Sequence, residues 1–361
     1  MKDILYTSSS QDNGKDFFLV GTHEGCTIYQ VDLLTREFKK GFNLGIEGEF
    51  SMVKMYKCSN IFGIVGSNNN LKLKKNVLII WDDCKGKIIY KYKFKNDILN
   101  MELTEDSIVV VCHKKIYVFD IKIFQLVDII TTGPNPKSIV AINKQNRKII
   151  VYPSAEENQG KLTIKNYQIK NYIYLNPMSK KEIDYFALSN DGLILAILGK
   201  ETKKIRIYET SKGYCLDELT IEIKLSKEQK LEKDKKLFDY LEFSQNNGYI
   251  YFSYGKGDID IFSLKKSFKN LLKILNFKNE SININDLNSN IHKGSLFFNI
   301  NKKDVSFKRV SLKGKEFKFV ELDDILNLIF IITSNGKLHK FKFENDKQRD
   351  CLEDQEIYPL F

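Results

Sequence analysis

The stretch Val77–Ile121, VLIIWDDCKGKIIYKYKFKNDILNMELTEDSIVVVCHKKIYVFDI, decides the fold. Its apolar runs are short: Val77–Trp81, Ile108–Val111 and Ile116–Phe119. They are rich in Val, Ile, Tyr and Phe, and Asp, Lys-Gly or Lys-Lys bounds them. Runs of four or five such residues between turn signals read as strands, because a helix needs a longer segment with apolar residues every three to four positions.

The same plan of strand, tight turn, strand and polar connection recurs outward from this stretch. Phe17–Gly21 and Cys26–Val31 flank THEG, and Leu193–Leu198 and Lys204–Glu209 flank GKETK. Tyr249–Tyr254 and Asp258–Phe262 flank GKGD, and Ile329–Thr333 and Lys337–Phe343 flank SNG. Each turn offers a Gly or Asn where a hairpin needs positive φ. Units spaced by about 40 residues are the mark of propeller blades. The units 17–38, 48–92, 94–129, 137–169, 182–219, 237–312 and 317–344 predict an all-β, seven-bladed WD40-like β-propeller within residues 1–346. The repeats are imperfect: Trp81-Asp82 is the one literal Trp-Asp pair, and Trp81 the one tryptophan.

Ile4–Ser8 is expected to complete the last blade and close the ring, since closure leaves few exposed edges. Residues 347–361 read as a polar C-terminal tail. Two inserts interrupt the repeats. Lys224–Lys236, KLSKEQKLEKDKK, reads as a solvated loop or short exposed helix. Residues 265–303 form a long insertion in the sixth blade, where Phe268, Leu271, Leu272 and Leu275 recur at helical spacing among lysines. This predicts a short basic amphipathic helix, which could pack on the propeller or dip into a membrane.

Bulk composition narrows the function. The 361 residues carry a net charge of +11, almost entirely from Lys, with Arg only at 36, 147, 206, 309 and 349. That balance suits an anionic membrane surface, and equally a surface of dispersed, solvated lysines. No apolar run approaches the ~18 residues of a membrane span, and MKDILYTSSS lacks a secretory core, so a soluble cytoplasmic protein is expected. Cys26, Cys58, Cys84, Cys112, Cys215 and Cys351 show no paired or metal-ligand spacing and read as free thiols. His23, His113, His292 and His339 stand apart, without an acid or nucleophile pattern. With no nucleophile elbow, phosphate loop or zinc motif, the sequence predicts no enzyme, metal or cofactor. Asp82-Asp83 and Asp323-Asp324 read as turn caps. No basic-and-aromatic strand face marks a nucleic-acid site.

The order of motifs resembles the PROPPIN family, the WIPI-type phosphoinositide-binding β-propellers of autophagy. GTHEGCTIYQVD looks like that family's first blade, and GEFSMVKMYKCSNIFGIVGSNNN followed by the Trp81-Asp82-Asp83 strand looks like its second. Pro134-Asn135-Pro136-Lys137, Tyr152-Pro153, Phe186–Gly192 (FALSNDG), Ile205–Thr210 (IRIYET) and Val305–Leu312 (VSFKRVSL) follow in the family's order.

The resemblance also locates a site. The family leads its fifth blade into an L/F-R-R-G tetrapeptide, whose two arginines each grip a headgroup; a planar guanidinium can bond phosphate oxygens in pairs, as a Lys point charge cannot. Aligned on KGYCLDEL, this motif falls on Leu219, Thr220, Ile221 and Glu222, so both arginines are absent. For the second pocket the resemblance keeps Ser253, Lys256 and Gly257, while Tyr254, Asp258 and Asp260 replace polar or basic positions. For the first it implies Thr202, Lys203, Lys204 and Arg206, with two readings for Arg206: a phosphate ligand or a brace for its strand. A lysine-based site would bind anionic membrane with less headgroup selectivity, each Lys adding about 1 kcal/mol. The family's basic third-blade strand is here the acidic Glu102–Ser107. Lys72, Lys74 and Lys75 in the preceding loop become the candidates for an acidic partner, or are an ordinary exposed loop.

The resemblance therefore implies a monomeric, non-catalytic scaffold at autophagic, endosomal or vacuolar membranes, with phosphatidylinositol 3-phosphate as lipid and an autophagy lipid-transfer protein as partner. The alternative is a diverged propeller that binds only proteins.

Overall fold

The structure is a computed structural model and describes residues 3–12, 15–32, 38–70, 72–135, 137–143, 148–155, 160–177, 183–199, 204–221, 238–244, 246–254, 258–264, 307–312, 317–323, 328–342 and 356–360. Among these, the strands form seven four-stranded antiparallel sheets, spanning 6–43, 50–93, 100–131, 141–175, 183–220, 238–311 and 317–359. Within each sheet the strands follow chain order. The first strands of neighbouring sheets meet at the centre, as Tyr6–Asp12 meets Phe50–Met55 and Ile183–Leu188 meets Phe238–Phe243. The all-β propeller architecture expected from the repeats is present.

The strand pattern explains why the apolar runs are short and unbroken. The middle strands Val77–Asp82, Ser107–Val111, Ile194–Gly199 and Leu328–Thr333 are buried at every position. A strand covered by a neighbouring sheet on both faces cannot alternate polar with apolar residues. The fourth strand of each sheet lies at the rim, and Lys87–Lys93 and Asn171–Leu175 are mostly exposed.

Side chains from adjacent sheets interleave around the circle. Leu78 and Ile80 of the second sheet pack with Met101, Ile108 and Val110 of the third. Ile205 and Ile207 of the fifth pack with Leu241 and Ile250 of the sixth. Ile259 and Ile261 of the sixth meet Val320 and Ile329 of the seventh. The seventh returns to the first through Phe330 and Ile332 against Phe18 and Val20, with the Phe18 and Phe330 ring centres 5.7 Å apart. Burying each such side chain stabilises the fold by about 1.5–3 kcal/mol.

Closure differs from expectation. Tyr6–Asp12 is the inner strand of the first sheet, paired from Tyr6↔Gly21 to Asp12↔Lys15, so it is not free to join the last sheet. Nor is 347–361 only a tail. Glu356–Pro359 supplies the outer strand of the seventh sheet, pairing with Lys337–Lys340 and covering an edge that would otherwise be open. Leu360 is buried behind it, and its carbonyl accepts a hydrogen bond from the Tyr29 hydroxyl of the first sheet. Side-chain packing, rather than a shared sheet, seals the ends.

The aspartates that punctuate the opening stretch fix its turns. Asp120 Oδ1 accepts the Lys122 and Ile123 amides at 2.8 and 3.2 Å, and Asp82 Oδ1 accepts the Lys85 amide at 3.1 Å. A short carboxylate can bond backbone two or three residues ahead and so replaces a backbone turn. Asp83 reaches between sheets, accepting the Gly45 amide and the Trp81 indole N–H, each at 2.8 Å. The capping role expected for Asp82-Asp83 fits Asp82, whereas the Asp83 carboxylate makes tertiary bonds instead. In the last hairpin, Gly336 at φ 73° makes the turn after Thr333.

Cys26, Cys112 and Cys215 are buried, Cys58 is half-buried and Cys84 exposed, all as free thiols. Burial pushes the Cys26 thiol up to about 12, well away from reactivity. Among the described residues no helix is long and apolar enough to cross a membrane.

Candidate functional site

The fifth sheet carries the positions where the sequence places an anion site. Its third strand, Lys204–Glu209, pairs with its outer strand, Cys215–Thr220, in the register Lys204↔Thr220, Ile205↔Leu219 and Arg206↔Glu218. Alternation along the strand sends Ile205 and Ile207 into the core shared with the sixth sheet. It leaves Lys204 and Arg206 on the opposite face, toward the fourth sheet.

There one carboxylate takes both cations. Lys204 Nζ donates to Glu218 Oε1, and Arg206 Nε donates to Glu218 Oε2 at 2.9 Å. Arg206 also donates through a terminal nitrogen to the Pro177 carbonyl in the connection from the fourth sheet. Burial alone would raise the Glu218 carboxyl, but the hydrogen bonds and charges of Lys204 and Arg206 hold it below its ordinary value. Burial would likewise lower Arg206, and Glu218 offsets this so that its pKa rises. The arrangement braces the strand and gives both cations an internal carboxylate as partner. Thr202 and Lys203 lie outside the described residues.

At the tetrapeptide position, Leu219 and Ile221 are buried in the core between the fifth and sixth sheets, and Thr220 is exposed. Glu222 lies outside the described residues. The strand geometry therefore turns two of these four positions inward. On the sixth sheet, Ser253 is buried among Tyr251 and Ile259 toward the seventh sheet, while the Asp260 side chain is fully buried. Lys256 lies outside the described residues, as do Phe268, Leu271, Leu272 and Leu275. The structure thus brings together Lys204 and Arg206 from the predicted set and sets Ser253 apart on another sheet.

The second-sheet loop is shaped by its asparagines. Asn70 Oδ1 accepts the Lys72 and Leu73 amides at 2.9 and 3.0 Å, and its Nδ2 donates to the Glu49 carbonyl at 3.0 Å. Leu73 then plugs the core of the first and second sheets. The loop lies so close to Gly66 that a Cβ there would sit 1.8 Å from the Leu73 carbonyl oxygen. Lys72 and Lys74 are exposed and Lys75 half-buried. The neighbouring acidic strand is not an open acidic surface: Glu102 pairs with Lys54 at 3.2 Å and Glu105 with Lys57 at 3.0 Å.

Reading residue types alone misses Glu218. Counting the hairpin register back from the turn at Ser211–Tyr214 would set Asp217 opposite Arg206; a bulge between Ile207 and Tyr208 shifts the pairing to Glu218. Among the described residues no cluster of His, Cys, Asp or Glu could hold a metal ion.

Comparison with known proteins follows the same outline. Kluyveromyces lactis Hsv2 with its complete loop 6CD has the same fold over all of both chains, with a TM-score of 0.72 at 17% identity. KlAtg21, solved with the coiled coil of AgAtg16, matches over 99% of this chain and all of its own, with a TM-score of 0.72 at 16% identity. In sequence, autophagy-related protein 18 of Dictyostelium discoideum is 29% identical over 206 residues, 57% of this chain and 53% of that protein. The chain is a relative of the PROPPIN propellers. Autophagy-related protein 18e of Arabidopsis thaliana is 25% identical over 203 residues, 56% of this chain and 53% of its own length. The alignments to these PROPPIN relatives thus span about half the length of each. No family model matches the chain.

Proposed function

We propose that this chain is a non-catalytic propeller scaffold of autophagy-related membranes, its seven sheets forming the seven blades of one closed ring. The observation that carries this reading is the whole-length likeness to PROPPIN structures, joined to the names of its sequence relatives. In this reading the scaffold meets anionic membrane through lysines and Arg206, and gathers protein partners on its other faces. Since KlAtg21 was solved with a coiled coil, an extended or helical segment of an autophagy protein is the kind of partner to expect, with Lys72, Lys74 and Lys75 facing its acidic residues. The lipid arm lacks a pair of free guanidinium forks, so its attraction follows membrane charge rather than the pattern of one headgroup.

One observation favours a second reading, a scaffold that binds proteins alone. Lys204 and Arg206 are already bonded to Glu218, and Leu219 and Ile221 are buried. The two readings part in cells. Reversing Lys203, Lys204 and Arg206 to Glu in the full chain should disperse it from autophagic puncta if the membrane arm operates. Unchanged puncta would leave only the protein-binding scaffold, and absence from such membranes altogether would overturn both.

A further inference from the structure

The outer strands of the seven sheets differ in how their edges are protected. Phe38–Asn43, Lys87–Lys93 and Phe307–Ser311 each carry two or more cations, while Leu126–Thr131, Cys215–Thr220 and Glu356–Pro359 carry carboxylates. Asn171–Leu175, the outer strand of the fourth sheet, reads NYIYL and carries no charge. A charge on an edge strand deters pairing with another chain; an uncharged edge invites it.

This strand also presents the most exposed ring. Tyr174 is 72% exposed and Tyr172 46%, the former the highest value for a large apolar or aromatic side chain among the described residues. The register Thr163↔Tyr174 and Lys165↔Tyr172 sets both on the face toward the third sheet. There Lys165 is bonded to Asp128 at 2.5 Å and lies over the Tyr167 and Tyr172 rings at 4.7 and 5.4 Å. The Tyr167 hydroxyl completes the clamp on Asp128 at 2.6 Å. The tyrosines therefore stand on a rigid floor joining two sheets. Among the described residues the strand pairs only with Leu162–Asn166. The Tyr172 amide is held by Asn171 Oδ1 at 2.8 Å, and alternation puts the Tyr174 amide and carbonyl on the same open edge.

Charge chooses the occupant. Exposed Lys170 lies in the turn just before the strand, and exposed Lys148 stands beside the same turn, its carbonyl accepting the Tyr167 amide at 2.8 Å. The nearby Asp128 carboxylate is neutralised by Lys165. A second copy would bring another +11 to the contact. We propose that Asn171–Leu175 receives an acidic, extended peptide segment of a protein partner as a fifth strand of the fourth sheet, with Tyr172 and Tyr174 covering its side chains. This surface is independent of the lipid reading of the fifth sheet.

The test uses the full chain and a fluorescein-labelled octapeptide alternating valine with aspartate and glutamate, beside a version with lysine in place of the acids. Fluorescence anisotropy should show binding of the acidic peptide only. Hydrogen exchange should slow at 171–175 on its addition. Tyr174→Lys, at an exposed position that leaves folding intact, should weaken binding about tenfold, as loss of an aromatic anchor does. Lys170→Glu should weaken it about threefold through lost charge complementarity. No binding at millimolar peptide, equal binding of both peptides, or an unaffected Tyr174→Lys variant would overturn the proposal. So would a concentration-dependent dimer that Tyr174→Lys abolishes, because the occupant would then be a second copy.

Discussion

The second and third sheets and the fifth and sixth sheets share one strand plan but place their charges differently. Between the second and third, ion pairs cross from sheet to sheet: Lys54 to Glu102 and Lys57 to Glu105. Below them lies an aromatic cluster in which Phe94 and Phe119 pack with Tyr90, Tyr92 and Tyr117. Between the fifth and sixth the contact is apolar, and the principal ion pairs lie within the fifth sheet, on Glu218. The first disposition ties neighbours together and leaves the loop lysines at 72 and 74 exposed. The second holds a strand but uses the cations that an anion site would need. The same fold can therefore keep its ring while its chemistry moves.

The largest expected effect breaks the aromatic side of that contrast. Phe119→Ala removes a ring that is 1% exposed and should cost about 3–5 kcal/mol in urea unfolding. A loss below about 1 kcal/mol would mean the cluster does not hold the two sheets together. Next, Asp83→Ala removes the bonds to the Gly45 amide and the Trp81 indole, each contributing about 0.5–1.5 kcal/mol, so a loss of about 1–3 kcal/mol is expected in the same assay.

Glu218→Gln sharpens the other side. Its partners are partly exposed, so the stability change should stay below about 1 kcal/mol, while vesicle binding should rise several-fold as Lys204 and Arg206 are released. Unchanged binding would show that these cations do not face lipid. The pH dependence has a definite sign. The folded Glu218 carboxyl lies below its unfolded value of 4.5, so its contribution is present above about pH 4.5 and lost as pH falls through the lower folded value. Urea unfolding between pH 6 and 3 should show a flatter acid limb for Glu218→Gln than for the wild type. The smallest effect is expected from a double-mutant cycle on Lys54 and Glu102, with a coupling of about 0.2–1 kcal/mol.

Much of the ring was legible in the sequence because burial on both faces writes itself as short unbroken apolar runs. Ile108–Val111 and Leu328–Thr333 could be read for that reason. Asp82 and Asp120 were legible as turn residues because a carboxylate acts on backbone close by; the reach of Asp83 to Gly45 was not. The ring's closure was not. Glu356–Pro359 is four residues in a polar region, and only its pairing with Lys337–Lys340 makes it a strand. At the candidate site, the absence of arginine from 219–222 was legible directly. What fills it was not, because Glu218 meets Arg206 through cross-strand register rather than neighbouring sequence. The Lys54–Glu102 pair was hidden for the same reason: its partners stand on different sheets.

The most direct test of the central claim, that the fifth-sheet cations are committed to Glu218, is flotation of the wild-type chain on two sets of vesicles. One set carries phosphatidylinositol 3-phosphate and the other phosphatidylserine at equal surface charge. The wild type should float equally, and weakly, with both, and Glu218→Gln should float better with each. Recovery of the wild type specifically with phosphatidylinositol 3-phosphate would contradict the claim.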